Sequence, residues 1–468
     1  LGLVILALAV RLAALAVETH PYDLAGLSGP NGEMARNILV HGRWFVTNVN
    51  TPTAALQHQQ RRLFDPAEID YARADREPRF VPYRIQMPGP ALLLAAVWWV
   101  TGEHRYLPLQ LAQAFLDALA VVIVYWISRR LYRNRRAALL AAAGYAAFLP
   151  MAMLMRIPFY DPWAVLGTMA AFALFLWALE ARVVWPRLVV VGAAVGGAMW
   201  FRPAVAVLPV ALAVATIPRV GWRRATIHGL VPLVVALSLV APYSLWTITD
   251  QGQFTPVNVG FGQVLWQGLG ERPNRFGAVL DDGVTFDQVH AERPELAYAT
   301  PSYDTHLRRK AFRVIAEHPG YYAELLAHRV PNALVPLSRS GRLARAHEAL
   351  AGEGSLLARV RGQALEFSTV ALAALAGPLL FGMAVAGLVL TWRRRRREHA
   401  LLLASAAATF SVPIVLGVQW RYVAPATFVY LVLAGLAGDR ILAAVAARSP
   451  GRHHARRRTT GNDRRGEL

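Results

Sequence analysis

Long apolar runs alternating with short arginine blocks constrain this chain more than any other feature. The blocks are Arg129 to Arg136, Arg219 to Arg224 and Arg393 to Arg397, with a basic tail from Arg452 to Arg465. Many of the apolar runs between them approach or reach bilayer length. Composition agrees, since 55% of the 468 residues are hydrophobic and the mean hydropathy is +0.34. An all-α polytopic membrane protein is expected. The net charge of +20 would suit nucleic acid, but its confinement to the blocks is the positive-inside pattern, so anionic lipid headgroups are the expected partner and nucleic acid is not. There is no cysteine, which excludes disulfides, thiol catalysis and cysteine-ligated metal.

Parity then fixes the topology. Ala14-Leu15-Ala16 has the spacing of a signal-peptidase site. The later loop signs nevertheless come out right if Leu1–Val17 is kept and runs from inside to outside. Pro88–Val100 is short for a span and is expected to be re-entrant or interfacial. With it lying flat, Leu107–Ser128 crosses inward and Arg129–Arg136 stays inside. Ala137–Met155 goes out and Trp163–Leu179 returns. Leu188–Trp200 and Ala204–Ile217 form a hairpin with Phe201-Arg202-Pro203 at its outer tip. Ala225–Ile248 goes out, Phe367–Trp392 comes in, Leu401–Val418 goes out and Tyr422–Val445 comes in. That makes about ten spans, with every basic block inside. The expected organisation is a membrane module over 1–248 with a first external loop at 19–106, an external domain over 249–366, membrane helices over 367–448 and a basic cytoplasmic tail over 449–468. Within Arg308–Arg329 apolar residues recur at helical spacing, which predicts amphipathic helix broken near Pro319.

The same parity puts two acids and two arginines on one external face. Glu33 follows the Gly/Pro-rich stretch Ser28-Gly29-Pro30-Asn31-Gly32; its bland alternative is a helix-start charge, and Asp23 is a weaker competitor. Asp161 sits in the short loop Arg156-Ile157-Pro158-Phe159-Tyr160-Asp161-Pro162, where an N-cap would also account for it. An ionisable group so close to hydrocarbon nonetheless points to function. Arg202 tops the short hairpin, where an anion or a snorkelled headgroup contact would satisfy it. Arg421, in Gln419-Trp420-Arg421-Tyr422, stands in an external turn against the positive-inside bias, and arginine suits bidentate phosphate contacts. Trp266 lies in the glycine-rich start of the external domain, as a sugar-stacking floor or an interfacial anchor. The histidines form no metal spacing, and no Walker loop or serine nucleophile elbow occurs.

These residues, in this order, resemble the membrane glycosyltransferases of the GT-C superfamily, in the branch of protein O-mannosyltransferases and lipid A aminoarabinose transferases. The resemblance runs through Glu33 with Ala35-Arg36-Asn37-Ile38-Leu39, Gly42-Arg43-Trp44-Phe45, Met87-Pro88-Gly89-Pro90 and Ser128-Arg129-Arg130-Leu131-Tyr132. It continues with the second acid loop, Phe201-Arg202-Pro203, Ala241-Pro242-Tyr243 and the tryptophan-containing segment from Gly260 to Gly270. His318-Pro319-Gly320-Tyr321-Tyr322 with Arg329, and Arg421-Tyr422 with Pro425, complete it. It implies a GT-C-type bundle with two large extracytoplasmic loops carrying interfacial helices. It also implies inverting transfer from a polyprenyl-phosphate sugar donor to a lipid, glycan or protein hydroxyl, at the outer face of the cytoplasmic (inner, plasma) membrane. Glu33 and Asp161 would be catalytic; Arg202, Arg421, Tyr422 and Trp266 would bind substrate. Many relatives carry an Asp-Glu pair where Asn31-Gly32-Glu33 offers one acid, so no cofactor is fixed and a divalent cation stays open. The alternatives are a transporter or flippase of lipid-linked sugars, for which Arg11 and Asp117 are the only candidate pathway charges unless they pair, and a non-catalytic envelope assembly protein.

Overall fold

The computed structural model describes residues 1–16, 29–51, 70–249, 252, 254–298, 300–335 and 356–448, with backbone only over 356–374 and at 448. Asp23, the 52–69 part of the first loop and the basic tail lie outside the described residues.

The chain starts with α1 (Gly2–Ala16) and α2 (Gly29–His41). A small hairpin of β1 (Val46–Asn48) and β2 (Phe80–Pro82) brackets α3 (Tyr71–Arg76), with Val46 opposite Pro82 and Asn48 opposite Phe80. α4 (Gly89–Thr101) and α5 (Leu107–Tyr132) follow, then α6 (Arg135–Ala147) and α7 (Leu149–Met155), bent by 52° at Phe148. α8 (Tyr160–Ala178), α9 (Trp185–Met199), a 3₁₀ turn (Pro203–Ala206), α10 (Val207–Val220) and α11 (Trp222–Thr249) complete the first module. Four shorter helices fill the segment expected to be the external domain: α12 (Phe261–Leu269), α13 (Asp282–Glu292), α14 (Pro301–Glu317) and α15 (Pro319–Leu334). The chain then forms α16 (Leu356–Leu416), α17 (Trp420–Val423) and α18 (Thr427–Arg448).

The protein is an all-α, multi-pass membrane protein. Six helices among the described residues are long and apolar enough to cross a bilayer, and the bent pair α6–α7 makes a seventh. The about ten crossings expected from parity include α1 and α9, which at 15 residues each fall short of that length. They also split α16 in two, and its backbone does leave helical geometry at Arg395 (φ −134°), inside the Arg393–Arg397 block. α11 presents Ile227, Leu230, Val234, Leu237 and Leu245 outward, as a lipid-facing helix should. Lipid tails are as apolar as leucine, so small residues rather than hydrophobicity decide which helices touch. A methyl group at Gly387 of α16 would overlap the Leu433 carbonyl of α18, and one at Gly435 of α18 would overlap the Ala137 carbonyl of α6.

The expected amphipathic segment is two helices, α14 and α15, divided at His318. Together with α12 and α13 they close over a core of Leu265, Trp266, Leu269, Val289, Tyr303, Leu307 and Leu325. Two local expectations need correction. The N-cap of α8 is Phe159, with extended backbone, and Asp161 lies inside the first turn. The Gly-Pro stretch is itself the first turn of α2, which leaves Glu33 past it, beyond the positions that best feel the helix dipole.

Candidate active site

Asp161, Arg202, Arg421 and Tyr422 converge from three separate parts of the chain. Asp161 Oδ1 accepts a 2.7 Å hydrogen bond from Arg202 Nη1, and its Oδ2 lies 3.9 Å from Arg421 Nε. The same Arg202 nitrogen donates to the Arg421 carbonyl at 3.1 Å. The Tyr422 ring lies 4.3 Å from the Arg202 guanidinium and 5.2 Å from that of Arg421. Arg421 also donates from Nε to Gln419 Oε1 at 2.9 Å and from Nη2 to the Tyr422 hydroxyl at 3.4 Å. The cluster therefore holds two cations against one buried carboxylate. An anion at this place would complete the balance.

The loop that delivers Asp161 is anchored by α5. Gln110 Nε2 donates to the Arg156 carbonyl at 2.6 Å, and Gln113 Nε2 donates to the carbonyls of Met155 and Ile157 at 2.8 and 2.9 Å. Gln113 Oε1 in turn accepts from Trp163 Nε1 at 3.2 Å. Sequence reasoning passed over these glutamines. Their signal was present as two amides, three residues apart, on one face of the apolar first half of this helix.

Glu33 is 1% exposed, and its Oε1 accepts from the backbone N–H of Asn48 in β1. Its Oε2 has no hydrogen-bond partner among the described residues. Burial pushes this carboxyl up to about 7, against smaller opposing effects of Asn48, Thr51 and Arg36. Gly32 lies beside it, and a side chain there would press on the Tyr106 hydroxyl. Arg36, one turn on, is held by both oxygens of Asp75 at 2.8 and 2.6 Å. That hydrogen bonding lowers Asp75 to about 2, and burial pushes Tyr71, whose ring lies 4.1 Å from the Arg36 guanidinium, up to about 12.

Tyr83 is buried beside the helix that carries Glu33, which no hydrogen bond or ion pair among the described residues joins to the Asp161 cluster. It packs with Met34 of α2, and its buried hydroxyl is raised first by burial and then by Tyr298, Tyr160, Asp282 and Glu33. Beyond Tyr83 the chain meets the expected external domain. The segment after Tyr83 is tied to that domain by Val259 N–H donating to the Arg84 carbonyl at 2.7 Å and by Asn258 Nδ2 donating to the Ile85 carbonyl at 2.7 Å.

The structure does not bring Trp266 into the cluster. Its indole is 1% exposed in the core of the external domain, with Lys310 Nζ 4.5 Å from the ring, so it presents neither a stacking floor nor an interfacial anchor. Arg11 and Asp117 pair at 2.7 Å, with both side chains fully buried. Arg11 also donates to the carbonyls of Tyr145 and Ala146, and Tyr145 donates to Asp117, so the pairing alternative holds and the charges that favoured transport are bound within the bundle. No group of three His, Asp or Glu side chains that could hold a metal occurs among the described residues. Glu33 has one unpaired oxygen, which alone cannot hold a cation, so no step is assigned to a metal.

Residues 85–246 match the family model described as dolichyl-phosphate-mannose-protein mannosyltransferase. The GT-C resemblance is borne out. The chain is 29% identical over 206 residues to an undecaprenyl phosphate-alpha-4-amino-4-deoxy-L-arabinose arabinosyl transferase of Pectobacterium atrosepticum, and 27% identical over 207 residues to one of Yersinia pestis. Each alignment covers 40% of this chain and 36% of the relative, so the matched part is about a third of the relatives' length. Among solved structures, the archaeal oligosaccharyltransferase AglB from Archaeoglobus fulgidus, in complex with an inhibitory peptide and a dolichol-phosphate, aligns with TM-score 0.48 at 15% identity, covering 100% of this chain and 52% of that one. ArnT from Cupriavidus metallidurans, bound to undecaprenyl phosphate, aligns with TM-score 0.38 at 16% identity, covering 94% and 78%.

Proposed function

We propose that this protein is a glycosyltransferase of the outer face of the plasma membrane, moving a sugar from a polyprenyl-phosphate donor to a hydroxyl of a lipid, glycan or protein acceptor. The observation that carries this is the convergence of Asp161, Arg202, Arg421 and Tyr422 at helix ends, on the face that parity puts opposite the arginine blocks. The names of its relatives point the same way, since they join undecaprenyl or dolichyl phosphate to sugar transfer.

In this mechanism the acceptor oxygen attacks the anomeric carbon as the bond from that carbon to the phosphate oxygen breaks. The acceptor proton passes to the unpaired oxygen of Glu33. A base titrating near 7 is both ionised and strong enough at neutral pH, and such general-base help contributes roughly 10²–10⁴-fold. The departing polyprenyl phosphate gains negative charge, which Arg421 and Arg202 stabilise. Asp161 orients Arg202 through their 2.7 Å bond, and Tyr422 packs against both guanidinium groups. Approach from the side opposite the phosphate inverts the anomeric centre.

The test is transfer from a synthetic polyprenyl-phosphate sugar by the purified chain in detergent. Glu33→Gln should reduce transfer by at least a hundredfold, within roughly 10²–10⁴, while expression and donor binding persist. Unchanged turnover in that variant would remove Glu33 from the role. Full activity in Arg421→Ala and Arg202→Ala would remove the phosphate assignment.

A further inference from the structure

Arg329 belongs to the amphipathic segment of the external domain, yet it is fully buried and spends all three guanidinium nitrogens on fixed partners. Nε donates to Glu271 Oε2 at 2.8 Å. Nη1 donates to the carbonyls of Ile414 and Val415 at 3.1 and 2.7 Å, and Nη2 donates to the Gly268 carbonyl at 2.7 Å. Glu271 Oε1 then accepts from the backbone N–H of Val418 at 2.8 Å, and the Tyr322 hydroxyl donates to the Val415 carbonyl at 2.9 Å. There is no slack in this contact, because a methyl group at Gly268 would overlap the Leu416 carbonyl.

The last carbonyls of a helix have no partners within it. Here the orphan carbonyls of α16 are satisfied by a side chain of the external domain. Gly417 turns the chain at φ +155°, Gln419 is extended, and Arg421 follows in α17. Only Gln419 and Trp420 separate the last clamped residue, Val418, from Arg421. The Arg421 carbonyl in turn accepts from Arg202. The clamp therefore fixes the one stretch of backbone that carries Arg421 to Asp161.

We propose that Arg329 and Glu271 are positioning residues, which convert the seating of the external domain into the placement of Arg421 against the donor phosphate. The inference rests on Arg421 contacting phosphate, as proposed above. Lysine cannot replace Arg329, because a single ammonium cannot reach a carboxylate and three carbonyls that the planar fork meets together.

The test uses the full chain in detergent and undecaprenyl monophosphate as the probe. Arg329→Lys should weaken phosphate affinity on the order of tenfold, the effect of losing charge-assisted hydrogen bonds. Arg421→Ala should weaken it at least as much. The combined variant should bind no worse than Arg421→Ala alone, since the clamp acts through Arg421. Glu271→Gln keeps an acceptor for Val418 N–H and removes the charge, so it gives a smaller loss in the same direction and carries the same cycle if Arg329→Lys does not fold. Wild-type affinity in folded Arg329→Lys, or an effect that adds in full to that of Arg421→Ala, overturns the positioning role alone. Wild-type affinity in Arg421→Ala overturns the phosphate assignment beneath it.

Discussion

Replacing Glu33 by glutamine changes one titration and almost no volume, so pH becomes the probe. The carboxyl is raised from 4.5 to about 7 by burial. At 1.36 kcal/mol per unit, that costs the ionised form about 3 kcal/mol. The folded pKa lies above the unfolded one, so the folded chain binds more protons in the window between 4.5 and about 7. The stability due to protonated Glu33 is complete below 4.5 and is lost as pH rises through about 7. Glu33→Gln has no such loss. At pH 8 it should be more stable than the wild type by up to about 3 kcal/mol, and the advantage should vanish toward pH 4.5. With an unfolding entropy of about 2.1 cal/mol/K per residue, this is a rise of about 3 °C in the thermal midpoint for a chain of this length. Melting both proteins in detergent from pH 5 to 8 reads the difference and cancels every other titration. Transfer by the wild type should rise with pH and level off above about 7, whereas Glu33→Gln should stay low throughout. Parallel melting curves at every pH, or a wild-type rate already level near pH 5, would refute the buried base.

Three further outcomes are expected. Arg202→Ala leaves the buried Asp161 carboxylate with Arg421 at 3.9 Å as its remaining cation and should cost up to about 3 kcal/mol, read as a lower thermal midpoint, with a weaker effect on polyprenyl-phosphate binding in Arg202→Lys. Arg11→Leu and Asp117→Leu should each destabilise by a similar amount, while the double variant returns close to wild type in melting and keeps transfer; a transported ion would instead make the double variant inactive. Gly387→Ala forces α16 away from α18 and should cost about 1–3 kcal/mol, seen as less monodisperse protein in size-exclusion chromatography.

Most of the fold was legible because lipid makes the pattern binary. Arg393–Arg397 marked the turn where α16 leaves helical geometry, and Phe201-Arg202-Pro203 marked the break between α9 and α10. Pro319 marked the junction of α14 and α15. Parity and length part at α1 and α9, which parity counts as spans and which at 15 residues each are too short to be recognised as spans by size. What pattern could not supply was pairing across distance. Arg11 and Asp117 stand 106 residues apart, and nothing local distinguishes a pathway charge from one half of a closed ion pair.

The cluster was legible in part for the same reason. Asp161, Arg202 and Arg421 stood out because a charge at the rim of an apolar run is costly enough to need an explanation, and each supplies part of the explanation for the others. Trp266 misled because aromatic character in a glycine-rich stretch says nothing about which side of a helix becomes the core of a domain; its burial depends on α13, α14 and α15 closing over it. Arg329 was visible only as a motif residue, because its partners are backbone carbonyls, which every residue has and no sequence pattern marks. A buried arginine that binds carbonyls of a distant helix is therefore the feature that sequence reading is least equipped to find. Here it ties the external domain to the turn on which Arg421 reaches Asp161.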